Sequence, residues 1–179
     1  MGNSDHETHL AVLTVLPPET TDETDHRIHG IGTDRFTLLE GTLTEDATVV
    51  PGDRVALTDD EQGPHAAVTQ RLTYETLSQD AQDRLKATVE SIITANEQRF
   101  VEYYNDAQPI SLRRHQLDLL PGIAESRRET ILRQRKRRPF ADFDDLAARI
   151  EQLREPHTIL AERVLTELQD EVKYTLFVE

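Results

Sequence analysis

The residues of this sequence best suited to chemistry form a short bend followed by arginines. The bend is Pro121-Gly122-Ile123-Ala124, and Arg127 and Arg128 come one helical turn later. Proline ends a preceding helix because it lacks an N–H group, and glycine tolerates positive φ while leaving room for a ligand to approach the backbone. The helix that follows has unpaired N–H groups at its positive dipole end. We therefore predict an anion site, with phosphate as its natural ligand.

Basic residues concentrate around this bend. Residues 113–138 hold nine Lys or Arg and three acidic residues, whereas the whole chain has a net charge of −14. A site of this kind binds phosphates and does not contact base edges, so binding would be largely independent of nucleotide sequence and strongly dependent on salt. The predicted nucleic-acid-binding residues are the four of the bend and the basic ones, Arg127, Arg128, Arg133, Arg135, Lys136, Arg137 and Arg138.

Other interpretations compete with this one. The bend can be a simple turn between two helices, and an Arg-rich helix can be merely solvated or can dock on an acidic protein partner. Asp142, Asp144 and Asp145 resemble a nuclease cluster, but Asp142 fits a helix cap better. His26 and His29 lie among acidic residues in a segment that would lose entropy on binding a metal. We predict no catalytic residue, no metal and no cofactor.

Composition narrows the class of protein. The 179 residues include no cysteine, which excludes disulfides and thiolate metal sites. The acidic residues are spread along the chain, and three lysines stand against seventeen arginines, which favours a surface adapted to high salt and a halophilic source. No apolar run is long enough for a membrane span and no secretory signal is visible, so we expect a soluble cytoplasmic protein with no membrane partner.

The first part of the chain is typical of a small β-structure. Residues 1–9 are polar and are predicted to be disordered. Strands are predicted over 10–17, 34–41, 53–59 and 65–74, with a polar loop at 18–33 and a turn at 50–53. Short strands with frequent turns indicate a barrel or a sandwich.

The pattern becomes helical near Ser78. One helix or a pair is predicted up to Asp106, and Ser111 is expected to cap a helix that ends at Pro121. Three further helices then follow, one that Pro139 ends, one that Asp142 caps, and one that begins after the interruption at Pro156. Residues 172–178 have β character, which predicts a last strand, placed on the edge of the barrel. The fold class is therefore α+β.

The sequence resembles an archaeal family of uncharacterised proteins, DUF655. The resemblance rests on "HQLDLLPGIAESRRETILRQRKRRPFADFDDLAARI" (115–150) and on segments to either side. It implies an OB-like β-barrel at 10–73 and a tandem helix-hairpin-helix domain at 78–170, with the first hairpin at 119–124. It also implies nucleic-acid binding with no known activity, and the family's gene associations favour RNA over DNA.

Two features depart from the family pattern. Ala124 replaces the usual second glycine of the hairpin, and the second hairpin, 151–158, has no glycine. We expect this second hairpin to be mostly structural, with apolar side chains that bury themselves around it, Leu153, Ile159, Leu160, Val164 and Leu168. The function we predict is non-catalytic, sequence-independent nucleic-acid binding. The alternative is a protein-interaction adaptor in an archaeal ribosome-biogenesis or transcription assembly, with ribosomal or transcription proteins as partners.

Overall fold

A computed structural model describes residues 6–18, 20, 25–43, 47–57, 63–170 and 172–179. The chain divides into two compact units, which we describe separately. The first unit comprises residues 1–88 with 167–179, and the second comprises residues 89–166. The α+β prediction is confirmed, since an antiparallel five-stranded half-barrel precedes a helical region that carries a small hairpin. No helix among the described residues has the length and apolar character needed to cross a membrane.

The first unit is built on the half-barrel. Its strands are β1 His9–Leu16, β2 Arg27–Gly32, β3 Leu38–Leu43, β4 Arg54–Ala56 and β5 Ala66–Arg71. Their order in the sheet is β4-β1-β2-β3-β5, and every neighbouring pair is antiparallel. Alternate residues of these strands face one apolar core, which includes Leu10, Ile28, Leu39 and Val55. The predicted strand at 10–17 and the predicted turn at 50–53 are both present.

Strand β2 differs from the sequence-based expectation. A polar loop is predicted over 18–33, and its last part instead pairs with β1 and β3. The strand signal is weak because Ile28 and Ile31 are the sole large apolar residues among His, Arg and Gly. Pairing on both sides supplies the hydrogen bonds, so the strand forms despite its polar composition.

The prediction of disorder over residues 1–9 is wrong for the part that the structure describes. Residues 1–5 lie outside the described residues, but Glu7 is buried. Its carboxylate accepts the backbone N–H groups of Asp34, Arg35 and Thr37 at 2.7 to 3.0 Å. A Cβ atom on Gly32 would lie 1.9 Å from the Glu7 side chain, so a larger residue there would displace the Glu7 carboxylate. The carboxylate thus fixes both the turn after β2 and the entry to β1.

The predicted strand at 172–178 does not form. The backbone N–H groups of Leu176, Phe177 and Val178 instead donate to the Glu167 carboxylate at 2.7 to 3.0 Å. Because three successive amides share one side-chain acceptor, they are not available to a sheet edge. Residue Glu179 bonds to Arg35 and Arg71 within the same unit.

The helical elements follow the predicted periodicity closely. One helix or a pair is predicted after Ser78, and the structure has the pair, with a break at Asn96. The helices are α1 Gln79–Ala95, α2 Glu97–Asp106, α3 Glu125–Arg137, α4 Phe143–Arg149 and α5 Pro156–Gln169. In the second unit, Leu117, Ile131, Leu146 and Leu160 are fully buried and form part of its core.

The predicted helix after Ser111 is wrong. Strands β6 (Pro109–Ser111) and β7 (Arg114–His115) form a hairpin there, followed by a 3₁₀ helix, Gln116–Leu119. Gln116 fixes the base of the hairpin, since its N–H donates to the Gln108 carbonyl at 2.9 Å and its side chain accepts the Gln108 N–H at 2.7 Å. These bonds between residues eight apart replace the local bonds of a helix.

Candidate functional site

The first hairpin has the geometry that its sequence predicts. Gly122 has φ 75°, in the left-handed region, and Ile123 N–H donates to the Leu120 carbonyl at 3.2 Å. Leu120 and Ile123 are buried, which anchors the bend in the core. A Cβ atom on Gly122 would have a single neighbour within 4 Å, the Arg127 guanidinium at 3.7 Å. The face of the glycine is therefore open to a ligand.

Helix α3 begins directly after this bend and has no side-chain cap. Ala124 is the N-cap residue in an extended conformation, and its side chain offers no acceptor. The first bond of the helix runs from Arg128 N–H to the Ala124 carbonyl at 2.9 Å. The amides of residues 125–127 therefore have no hydrogen-bond acceptor within the described chain. Ala124 has a φ of −88°, which an alanine adopts without strain, so the bend does not need a second glycine at this position.

The second hairpin repeats the first with different residues. Leu153 N–H donates to the Ile150 carbonyl at 3.2 Å, and Gln152 takes the place of glycine at φ 64°. The N-terminus of α5 is more occupied than that of α3, because Thr158 and Ile159 N–H both donate to the Glu155 carbonyl. Of the apolar residues predicted to be buried here, Leu153, Leu160 and Val164 are buried, and Ile159 and Leu168 are half-buried.

A groove of about 510 Å³ lies between the two hairpins. Gly122 and Gln152 line it from the bends, and Ser126, Thr130 and Arg133 line it along one face of α3. The Arg127 guanidinium also faces it, donating to the Gly122 carbonyl and to Gln152 Oε1, the latter at 3.4 Å. These are neutral acceptors, and Arg127 has no ion pair with any residue that the structure describes. Glu151 is the one acidic residue that lines the same groove.

Two of the predicted basic residues are committed to the fold. Arg128 donates to both Asp118 oxygens at 2.8 and 2.9 Å, and this bond raises the pKa of the Arg128 guanidinium. Arg135 donates to the Tyr104 and Ala107 carbonyls at 3.1 and 3.0 Å, and burial lowers the pKa of its guanidinium. The sequence could not separate these two from the rest, because their acceptors belong to distant or irregular segments.

The other predicted basic residues lie toward the end of α3. Arg138 pairs with Asp145 at 3.1 Å. The side chains of Arg133, Lys136 and Arg137 are exposed, and they have no hydrogen bond or ion pair with any residue that the structure describes. Pro121, Ile123 and Ala124 shape the bend but offer no charge.

Arg149 is a residue that the sequence does not single out. Its guanidinium donates to the Gln134 and Arg138 carbonyls at 2.7 and 2.8 Å and lies 4.5 Å above the Phe140 ring. It also bonds to Asp145 at 3.0 Å. Arg149 therefore caps the last turn of α3, and nothing in the spacing of residues along the chain indicates this.

The acidic candidates have structural roles as well. Asp142 Oδ1 accepts the Asp145 N–H at 2.7 Å, which confirms Asp142 as the cap of α4. The Ala141 N–H, with Arg149 and Arg138, holds the pKa of Asp145 below its usual range. In the described part of the chain, no three His, Asp or Glu side chains are placed to share a metal ion. His29 bonds to Glu40 at 3.1 Å, and two of the acidic residues that precede it in the predicted loop, Asp22 and Glu23, lie outside the described residues.

Comparison with known proteins gives one consistent result. Residues 8–179 match the model of a protein family described as a protein of unknown function, DUF655. The uncharacterized protein MJ0038 of Methanocaldococcus jannaschii is 32% identical over 176 residues, which are 97% of this chain and 80% of that protein. The crystal structure of Af1531 from Archaeoglobus fulgidus, assigned to the same family, superposes with a TM-score of 0.85 at 30% identity, covering 97% of this chain and all of that one.

Proposed function

The chain belongs to the DUF655 family, and we propose that it is a non-catalytic protein that binds the backbone of nucleic acid without reading its sequence. One observation carries this proposal: an open glycine bend leads into an uncapped helix whose first amides have no acceptor in the described chain. Such amides and the helix dipole suit an anion. The site lies in a groove and not in a closed pocket. A groove suits a polymer that carries an anion at every repeat, as the phosphodiester backbone does.

Arg127 is the side chain that best complements this site. Its guanidinium already lies over the bend, where it donates to the Gly122 carbonyl, and a guanidinium has five donor N–H groups. Donors that remain can form charge-assisted bonds to a phosphate held by the amides. Arg133 would contact the next phosphate along the groove, since it lines the same face of α3.

The proposed contact set is smaller than the sequence suggests. Arg128 and Arg135 are omitted because their donors are occupied by protein acceptors, and Arg138 is omitted because it pairs with Asp145. The remaining charge comes from Arg127, Arg133, Lys136 and Arg137. A site that binds phosphate alone accepts either RNA or DNA. The preference for RNA therefore rests on the family's gene associations.

A glycine substitution tests the proposal. Gly122→Val should weaken binding to a random-sequence RNA duplex at least about tenfold, because the branched side chain covers the amides. Valine is also strained at positive φ, so Gly52→Val is the matched control: Gly52 has φ 99°, lies in the turn before β4, and has no neighbour within 4 Å of a Cβ atom. Circular dichroism verifies that both variants fold. Equal loss of affinity in both, or in neither, contradicts the proposal.

The adaptor and enzyme alternatives give different results in the same assay. An adaptor would bind neither RNA nor DNA, and would capture an acidic protein in a manner that depends on Arg133, Lys136 and Arg137. An enzyme would change the length or mass of the RNA when divalent cations are added. Our proposal requires RNA that is bound and recovered unchanged.

A further inference from the structure

The tip of the β6–β7 hairpin presents an apolar side chain to solvent. Leu112 is fully exposed, with a relative accessibility of 106%, and it exceeds the other exposed large apolar residues of the described chain, Val50 and Val68. A single exposed leucine needs no explanation by itself. Two further features indicate a function for the hairpin: its base is rigid, and its tip is charged.

The base of the hairpin is firmly held. Gln108 and Gln116 are joined by two hydrogen bonds, and the Tyr103 hydroxyl donates to the Gln116 carbonyl at 3.1 Å. His115 at the end of β7 is buried, and its Nδ1 accepts the Leu117 N–H at 3.1 Å. Leu112 is therefore presented on a short, fixed arm, so little entropy is lost when it inserts into a partner.

The tip also carries two arginines. The guanidinium groups of Arg113 and Arg114 are exposed and have no hydrogen bond or ion pair with any described residue. They line a groove of about 490 Å³ between the hairpin and α3. The two glutamates of this groove, Glu125 and Glu129, lie within 3.8 and 3.3 Å of Arg128. Because Arg128 is also paired with Asp118, the two glutamates offset much of the positive charge of this groove. The Arg113 and Arg114 guanidinium groups themselves have no carboxylate within ion-pair distance among the described residues, so they are able to contact phosphates.

This second groove lies beside the proposed phosphate site. The first groove is lined by residues 126, 130 and 133 of α3, and the second by residues 125, 129 and 132. One residue corresponds to about 100° around a helix of 3.6 residues per turn. The two grooves therefore flank α3 on adjacent faces, and both begin at its N-terminal turn. A nucleic-acid strand bound by the α3 amides would therefore have the β6–β7 hairpin on one side.

We infer that the hairpin is a wedge: Leu112 enters a gap in the base stack, and Arg113 and Arg114 hold the phosphates on either side of the gap. This inference rests on the proposed function and names its preferred ligand, an RNA duplex interrupted by a bulge. Opening an intact stack for an apolar wedge costs free energy at every unstacked step, whereas an interrupted stack is already open. Bulges are also where proteins most readily reach RNA bases. Leucine has no hydrogen-bonding group, so the wedge reads the interruption and not the sequence.

The test compares an intact RNA duplex with the same duplex carrying one bulge. The wild-type protein should bind the bulged duplex about tenfold more tightly, and Leu112→Ala should abolish this preference while binding to the intact duplex is unchanged. Val68→Ala is the matched control, because Val68 is an exposed apolar residue of the half-barrel. A 2-aminopurine base beside the bulge should become brighter with wild-type protein and not with Leu112→Ala, which reports unstacking directly.

The outcomes separate the wedge from the phosphate site. Equal binding of both duplexes, lost in Gly122→Val, would overturn the wedge and leave the proposed function intact. Absence of binding to either duplex would overturn both. If Leu112→Ala abolishes capture of a protein partner and leaves the binding of both duplexes unchanged, the hairpin is a protein-docking element and the wedge is wrong.

Discussion

Arg127 and Arg128 are adjacent in the sequence but face different surroundings. Arg127 contacts neutral acceptors at the bend, whereas Arg128 forms a two-point ion pair with Asp118 on the preceding 3₁₀ helix. A helix turns by about 100° per residue, so neighbouring side chains meet different environments. One arginine is thus available to a ligand while the other holds the first hairpin together.

Alanine substitutions of these two residues should therefore have opposite consequences. We expect Arg127→Ala to weaken RNA binding about tenfold with little change in stability, a loss typical of one charge-assisted hydrogen bond. We expect Arg128→Ala to lower the free energy of unfolding, because Asp118 loses its partner, and to leave RNA affinity nearly unchanged. Urea unfolding and filter binding measure the two quantities. Loss of affinity in Arg128→Ala with stability retained would contradict the assignment.

His115 should make stability depend on pH. Burial, aided by Arg135, lowers the pKa of the His115 imidazole, and Asp118 opposes this. Its Nδ1 accepts the Leu117 N–H, so the folded protein requires this nitrogen to be unprotonated. Since the folded pKa lies below the unfolded value of about 6.5, the stabilisation is present above that pH and is lost as the pH falls below it.

The experiment is urea unfolding between about pH 7.5 and 5. The free energy of unfolding should decrease toward pH 5, and His115→Asn should remove this slope, because asparagine keeps an acceptor near the Nδ1 position but does not titrate in this range. Asp145 and Glu40, whose pKa values are lowered, lose their contributions below about pH 4.5, outside this window. An unchanged slope in the variant would assign the pH dependence to another group.

Among the elements, the short helices of the second unit depend on their caps. Helix α4 has seven residues and begins at Asp142, whose side chain satisfies the Asp145 N–H. The last residue of α4 is Arg149, whose guanidinium caps the C-terminal turn of α3. Helices this short are not stable by themselves, so caps and packing decide whether they form.

Removing the cap of α4 should cost stability without affecting the phosphate site. We expect Asp142→Ala to lower the free energy of unfolding by about 1 kcal/mol, the usual value for an N-cap aspartate, and Asp142→Asn to retain most of it. Thermal unfolding followed by circular dichroism measures the loss. A similar loss in both variants would mean that the negative charge, and not the acceptor, provides the stabilisation.

For the molecule as a whole, the net charge opposes the proposed ligand. A protein of charge −14 repels a polyanion at distances much larger than its basic surface, because its charges then act together as one net charge. Close contacts must therefore come from the few basic side chains without acidic partners. Affinity for the nucleic acid then depends on the short-range contacts of these side chains, and long-range electrostatic attraction contributes little.

The salt dependence of binding should report these side chains. Each phosphate contact contributes about 0.9 to the slope of log affinity against log salt, so replacing Arg133, Lys136 and Arg137 with alanine should reduce the slope by about two to three. Lys86 and Lys173 are exposed residues of the first unit, and their removal is the control for net charge alone. If the control changes the slope as much as the triple variant does, the end of α3 does not contact phosphate.

The elements that the amino-acid sequence predicts correctly are those whose signals are local. Apolar periodicity predicts the helices, Asp142 predicts a cap, and Pro121-Gly122 predicts the bend, because in each case the deciding residues lie within one or two turns of each other. The α+β class follows from the same local patterns, whereas the family resemblance rests on the similarity of residues 115–150 and the segments to either side. The glycine at φ 75° is therefore identifiable from its neighbours along the chain.

The pairing of groups, in contrast, depends on the tertiary structure. The β6–β7 hairpin, strand β2 and the amides bound by Glu167 depend on partners eight or more residues away. Arg128, Arg135 and Arg149 differ from Arg127, Arg133 and Arg137 in their acceptors and not in their residue type. A charged side chain is a ligand contact or a structural bond according to what the fold places within about 3 Å of it, and distances of this kind are not encoded in local spacing.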